Sequence, residues 1–325
     1  MKFNKDILKI DPEAETDRIV TALRSEVHQV MRRYGGVVGI SGGIDSSVVL
    51  ALCARAFGPK RVAGIMMPEH DSEPESEELA RMVAARYGID PILENMSPAL
   101  EGFACYPRRD EAINRIFPEY EPSAGFTAKI GLPQNVLDED TLNVFHLTIV
   151  APDGDEKTKR LSIKEYFQIV AASNFKQRSR MVMLYYHAEL RNYAVIGTGN
   201  KNEHEQGFFV KYGDGGVDIQ PIAHLYKTQV YQLARYLEVP KEIQERTPTT
   251  DTYSATSTQQ EFFYRLPFET MDLLWYAQEH NIPMSEITQV MGLTEAQVMR
   301  AFADFTSKQR TTEYLRMPPA FISGA

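Results

Sequence analysis

A glycine-rich turn lies between two apolar segments at Val37-Val38-Gly39-Ile40-Ser41-Gly42-Gly43-Ile44-Asp45-Ser46-Ser47. VVGI reads as a buried strand, and residues 46–57 (SSVVLALCARAF) as a largely buried helix. Such a turn leaves backbone N–H groups unpaired at the helix N-terminus, where the helix dipole adds positive potential; both suit a phosphate. Gly42 and Gly43 let the backbone approach an anion, and Ser41, Ser46 and Ser47 add hydroxyl donors. Asp45 is discordant, because a carboxylate repels phosphate unless a cation lies between them; it argues for Mg²⁺. The turn matches neither G-x-x-x-x-G-K-[ST] nor G-x-G-x-x-G. The bland alternative is an ordinary strand-to-helix turn that holds no ligand.

The 325 residues fit one large α/β domain or two smaller ones, and a 43% hydrophobic content is ample for a core. A formal net charge of −9 excludes broad electrostatic binding to nucleic acid, so an anionic substrate needs a local basic site. Two cysteines are too few for a disulfide framework or a Cys-based zinc site; Cys53 reads as core and Cys105 as a spare thiol. The N-terminal MKFNKDILKIDPEAE has no apolar signal core, and no window approaches the roughly 18 apolar residues of a membrane span. The expectation is a cytoplasmic protein with no membrane and no nucleic-acid partner.

Asp11-Pro12 marks a helix start, and Ile19, Leu23, Val27 and Met31 give it one apolar face to about Arg33, expected to pack beside the first strand. Residues 61–67 read as a second strand, an acidic run leads into an amphipathic helix with Leu79, Met82 and Val83, and 91–93 is a third strand. Strands alternating with helices predict a doubly wound parallel sheet, with ligands at the carboxyl ends of its strands. Residues 97–162 break the pattern; 143–150, the turn at 152–155 and 160–163 suggest an inserted β-hairpin. A helix resumes near Lys164, and a fourth strand at 193–196 ends in Gly197-Thr198-Gly199-Asn200. A short strand at 219–222 and a helix at 226–237 follow. TPTTDTYSATSTQQE has the composition of a mobile loop, and 284–302 reads as a helical hairpin, its second helix too poor in cations for DNA.

SGGIDSS resembles the pyrophosphate loop of the ATP-pyrophosphatase superfamily, whose members split ATP to AMP and pyrophosphate. Three further stretches, GTGNKNE (197–203), GFFVKYGDGGVD (207–218) and PIAHLYKTQV (221–230), together with the loop, resemble the NAD synthetases. The resemblance covers roughly 37–93 and 174–250; KYGDGG followed by LYKTQ is its most specific part. It implies a Rossmann-like fold of the adenine nucleotide alpha hydrolase type. The layout would be one synthetase domain over 1–325, with core 12–96 and 163–250, insertion 97–162 and a helical C-terminal part 251–325. By resemblance, Gly39, Ile40, Ser41, Gly42, Gly43, Ile44, Asp45 and Ser46 hold the ATP phosphates. Asp45 and Glu203 bind Mg²⁺, and Thr198, Lys227 and Thr249 contact ATP. Arg178, Lys211 and Asp218 contact deamido-NAD. Asp45, Glu203 and Lys227 form the catalytic set. Taken singly, these lysines and loop carboxylates read as solvated surface groups; their joint spacing carries the case.

The family usually has a His-Lys pair near the C-terminus; here Ser307-Lys308 stands there, so only Lys308 carries over as a substrate contact. The implied reaction is adenylation of the nicotinate carboxylate of deamido-NAD by Mg-ATP, then attack by ammonia to give NAD⁺ and AMP, in a homodimer. Only 36 residues precede Val37, with no cysteine among them, and no segment suits a glutamine amidase, so free ammonia is the expected nitrogen donor. Two rival readings stay open: another adenylating enzyme on the same loop, and a nucleotide sensor with a dead site.

Overall fold

The computed structural model describes residues 2–133, 136–138, 144–250 and 252–322. Asp11 accepts hydrogen bonds from the N–H groups of Glu13 and Ala14, and Pro12 takes the first helical position of α1 (Pro12–Arg24). A π-helical turn, Ser25–Val30, carries the same apolar face onward. Then come β1 (Gly36–Gly39), α2 (Ile44–Phe57), β2 (Val62–Met66), α3 (Pro74–Arg86) and β3 (Ile92–Leu93). Residues 97–162, expected as an insertion, follow as α4 (Ser97–Gly102), α5 (Cys105–Asn114), β4 (Thr127–Gly131), β5 (His146–Val150) and β6 (Glu156–Arg160). The 29-residue α6 (Ile163–Arg191) returns the chain to β7 (Ala194–Ile196) and α7 (Lys201–Gln206). The helices α8 (Lys227–Tyr236), α9 (Lys241–Glu245), α10 (Phe268–Glu279), α11 (Met284–Met291), α12 (Glu295–Thr311) and α13 (Glu313–Arg316) complete it.

The main sheet is parallel, in the order β3-β2-β1-β7. Val37, Ala63, Ile65 and Val195 bury one face against Met181, Leu184 and Ala188 of α6. Val38, Ile40, Val62 and Ile196 bury the other against α2 and α3. Burial on both faces explains why these strands read as continuous apolar runs rather than alternating ones. The chain leaves β1 towards β2 on one side and returns to β7 on the other. The switch point, with its crevice, therefore lies beyond the carboxyl ends of β1 and β7.

Several expectations are corrected. Helix α1 packs on α2 and α8, because α2 and α6 already cover β1. Residues 219–222 form no strand; Ile219 makes a single bridge to Ile196, and Pro221 lacks the N–H to extend it. The expected second hairpin strand at 160–163 is displaced to β6, because Ser162 caps α6 and starts the helix there. Asn143, placed in the first hairpin strand, lies outside the described residues. The insertion is also richer than a hairpin, with a third strand, β4, and two helices. The helical hairpin at 284–302 is present as α11 and α12, and it packs Ile287, Val298, Ala301 and Phe305 against Trp275 of α10.

Candidate active site

The chain reverses from β1 into α2 through Ser41–Gly43, and Gly42 adopts φ +73°, which a side chain rarely tolerates. A Cβ on Gly42 would stand 2.6 Å from the Ser76 carbonyl oxygen. The first-turn N–H groups of Ile44, Asp45 and Ser46 have no partner among the described residues, and they open onto a cavity of about 1100 Å³. The serine hydroxyls serve the turn itself. Ser46 Oγ and Ser47 Oγ donate to the Gly43 carbonyl at 3.0 and 2.8 Å, and Ser47 is fully buried, so the expectation that Ser47 faces a phosphate is corrected. Ser41 Oγ accepts from Gly43 N at 3.3 Å and remains on the cavity wall.

Across the crevice, β7 delivers Gly197-Thr198-Gly199 and the capping box of α7. Asn200 Oδ1 accepts from Glu203 N at 3.1 Å while Glu203 Oε2 accepts from Asn200 N at 3.0 Å. The same Asn200 donates through Nδ2 to Asp45 Oδ1 at 3.0 Å, joining the two loops. Lys227, at the start of α8, is fully buried and forms an ion pair with the other oxygen of Asp45. Burial works against the Lys227 charge, but Asp45 and Glu203 outweigh it and raise its pKa. Glu203 is pushed up to about 8, first by desolvation and then by the Asp45 charge, against the pull of Lys227. Among the described residues its Oε1 accepts only from Gln259 Nε2, at 3.4 Å.

Asn202 and Asp272 anchor this cluster from behind. Asn202 Oδ1 accepts from Lys227 N at 3.2 Å, and Asp272 accepts from Asn202 Nδ2 at 2.5 Å and Thr228 N at 2.8 Å. Asp272 is itself pushed up to about 6 by burial, which these donors oppose.

Asp45 and Glu203 fit a hard cation. Two carboxylates face one cavity, and burial together with the Asp45 charge holds Glu203 above its ordinary range, a shift that a bound cation would relieve. Among the described residues no group of three or more His, Cys, Asp or Glu could hold a metal ion. Two carboxylates completed by phosphate oxygens and water are the usual Mg²⁺ arrangement.

The remaining residues divide. Gly39, Ile40, Gly43, Thr198 and Thr249 line the cavity, as do Met66 and Met67 at the end of β2. Arg178 and Lys211 line it together, Arg178 Nε donating to the Lys211 carbonyl at 3.3 Å. Lys211 Nζ donates to the carbonyls of Tyr314 and Met317, at 3.0 and 2.7 Å, tying the C-terminal segment to the rim. Lys308 reaches the wall but is buried, donating to Asp304 and to the Phe263 carbonyl, both at 2.7 Å; burial lowers its pKa, which Asp304 opposes. Gly42, Lys227 and Asp218 stand off the cavity wall. The Asp218 carboxylate accepts from Val195 N at 2.8 Å and Tyr185 Oη at 3.0 Å, bracing β7. Asp214 opens onto the cavity amid surrounding protein, and desolvation pushes it up to about 6 against the N–H of Val210.

Asn200, Gln259 and Asp272 were not singled out from sequence. The Asn-x-x-Glu spacing inside GTGNKNE is a readable capping box. A carboxylate set within the apolar run MDLLW is the signal for Asp272.

The family model described as NAD synthase matches residues 15–115 and 141–319. The NH(3)-dependent NAD(+) synthetase of Mesorhizobium japonicum is 50% identical over 313 residues, covering 96% of this chain and 97% of the relative. That of Rhizobium meliloti is 46% identical over 320 residues, covering 98% and 95%. Among solved structures, the NH3-dependent NAD synthetase of Campylobacter jejuni, in complex with a nitrate ion, aligns with TM-score 0.62 at 22% identity. It covers 97% of this chain and all of its own, and at that identity it speaks for the fold alone.

Proposed function

The chain belongs to the NAD synthase family and catalyses ammonia-dependent synthesis of NAD⁺ with ATP; from that premise we propose how its cavity divides the work. The observation that carries the proposal is the Lys227–Asp45–Glu203 cluster at the mouth of the phosphate turn. The free N–H groups of the α2 N-terminus cradle the phosphates of ATP, and Thr198 and Thr249 contact the nucleotide. Asp45 and Glu203 hold Mg²⁺, which when bound supplies positive charge to the leaving pyrophosphate. Lys227 lies beneath Asp45 and fixes its orientation and charge. Arg178 and Lys211 present cations to deamido-NAD, Lys308 closes the rim, and Asp218 acts by holding β7.

The nicotinate carboxylate attacks the α-phosphorus and expels pyrophosphate. The acyl-adenylate then loses AMP to ammonia, and no protein nucleophile is required. Asp214, held near neutrality, accepts the proton when ammonium is the species bound.

The homodimer belongs to the same proposal. On α6, Val182, Tyr186 and Leu190 are exposed at four-residue steps, and Ile163 and Phe167 are exposed in its first turns, apolar surface suited to a second copy of the chain. No helix among the described residues is long and apolar enough to cross a membrane. A cytoplasmic location completes the reading, supported by the free, buried thiols of Cys53 and Cys105.

Phosphorus NMR of the products tests the chemistry: AMP and pyrophosphate are expected, and ADP as the main product overturns it. Asp45→Ala and Glu203→Ala should each lower kcat by about 10²–10³-fold, the usual loss for one main transition-state stabiliser.

A further inference from the structure

The threonine-rich segment after α9 is fastened where its composition suggests freedom. Thr249 bridges Thr258, and Thr250 N donates to the Ser257 carbonyl at 3.0 Å, so the segment forms a narrow hairpin. One side of its tip joins the insertion. Ala255 N donates to the Ala128 carbonyl on β4 at 3.1 Å, and Ala128 N donates to Ser254 Oγ at 3.0 Å. Tyr253 enters the insertion's apolar cluster with Ala128, Ile130 and Leu147.

The other side of the tip is held by Lys176 of α6, whose Nζ donates to the Thr252 carbonyl at 2.7 Å. Its remaining donors go to Glu69 Oε1 at 2.9 Å and Asp71 Oδ2 at 2.7 Å, in the connection between β2 and α3. All three ammonium protons are thereby used. Asp71 also pairs with Arg109, and Glu69 Oε2 accepts from Tyr106 Oη at 2.7 Å, both from α5 of the insertion. Lys176 is 1% exposed, and Glu69, Asp71 and Arg109 are as deeply enclosed. Burial raises the Asp71 carboxyl, but Lys176 and Arg109 outweigh it and bring it down to about 2. Lys176 and Arg109 thus meet three carboxylates, Glu69, Asp71 and Asp110, drawn with them from the β2 end, the insertion and α6, with the hairpin backbone as fourth partner.

Resting on the reading that Thr249 meets ATP, we propose that Lys176 is a positioning residue for ATP, which with the 97–162 insertion holds the 249–258 hairpin closed over the nucleotide end of the cavity. Ordering a loop costs backbone entropy at every residue that is fixed. A hairpin fastened before ATP arrives spares the nucleotide that cost, and apparent affinity falls in proportion to the closed fraction when the fastening is cut.

The test is Lys176→Met combined with Glu69→Gln, which removes one charge of each sign and leaves Arg109 facing Asp71. Lys176→Arg serves as the rescue, and Thr249→Ala as the separate probe of nucleotide contact. KM for ATP should rise about tenfold in the double variant, as for a closed fraction near one tenth. KM for deamido-NAD should stay within about twofold, and amide exchange should quicken across 247–259. Lys176→Arg should recover most of the ATP affinity. The proposal falls if exchange across 247–259 is unchanged. It falls equally if both KM values rise together while kcat and thermal stability fall, the signature of a merely structural lysine. An unchanged KM for ATP in Thr249→Ala would instead remove the reading of Thr249, while the exchange measurement still judges the fastening.

Discussion

The charge deficit at Glu203 predicts that a nucleotide bearing Mg²⁺ binds with release of a proton. Glu203 sits at about 8, raised by desolvation and the neighbouring Asp45. At pH 7 a carboxyl of that pKa keeps its proton in about nine molecules of ten, and at pH 9 in about one of ten. A cation bound between Glu203 and Asp45 favours the ionised form and expels that proton. Binding at pH 7 should therefore release about 0.9 proton, and binding at pH 9 about 0.1. Asp214, at about 6, is largely ionised at pH 7 and adds little.

The assay is calorimetric titration of the α,β-methylene analogue of ATP at saturating Mg²⁺, where the analogue carries no proton of its own. Each pH is run in two buffers of different ionisation heat. Glu203→Gln should abolish the release. The same shift sets a stability trend for the free protein. Because the folded pKa lies above the unfolded one, its contribution is complete below about 4.5 and is lost as pH rises through about 8. Absence of proton release at pH 7, proton uptake, or undiminished release in Glu203→Gln would refute the reasoning.

Gly42→Ala should cost at least about 1–2 kcal/mol from its positive φ alone, before the contact with the Ser76 carbonyl is relieved; the urea midpoint reads it. Asp272→Ala should cost about 1–3 kcal/mol for each partner left unpaired, Asn202 Nδ2 and Thr228 N, and the melting temperature should drop accordingly. Lys211→Ala and Arg178→Ala should raise KM for deamido-NAD while leaving ATP affinity nearly intact, since both side chains stand apart from the phosphate turn; equal weakening of both ligands in calorimetry counts against that division. The purified chain should use ammonium and should not match that rate with glutamine.

What could be read from the linear chain is what neighbouring residues decide among themselves. The SGGIDSS turn carries its glycine conformation, its free amides and its carboxylate within a few residues. The Asp11-Pro12 helix start and the doubly buried strands are equally local, set by capping, a fixed φ and apolar runs. The resemblance carried by KYGDGG and LYKTQ added the reaction. Tertiary structure alone decided how Asp45 is satisfied: a carboxylate beside phosphates suggested a metal ion, yet its nearest cation is Lys227, 182 residues away. Only the parallel order of β1 and β7 brings those segments to one end of the sheet. The same holds for the 249–258 hairpin, whose polar composition reads as loose because its anchors, Lys176 and Ala128, lie 76 and 126 residues from their partners. A side chain's preference is written in its own chemistry, but its partner across such distances is selected by topology and burial, which no local spacing records.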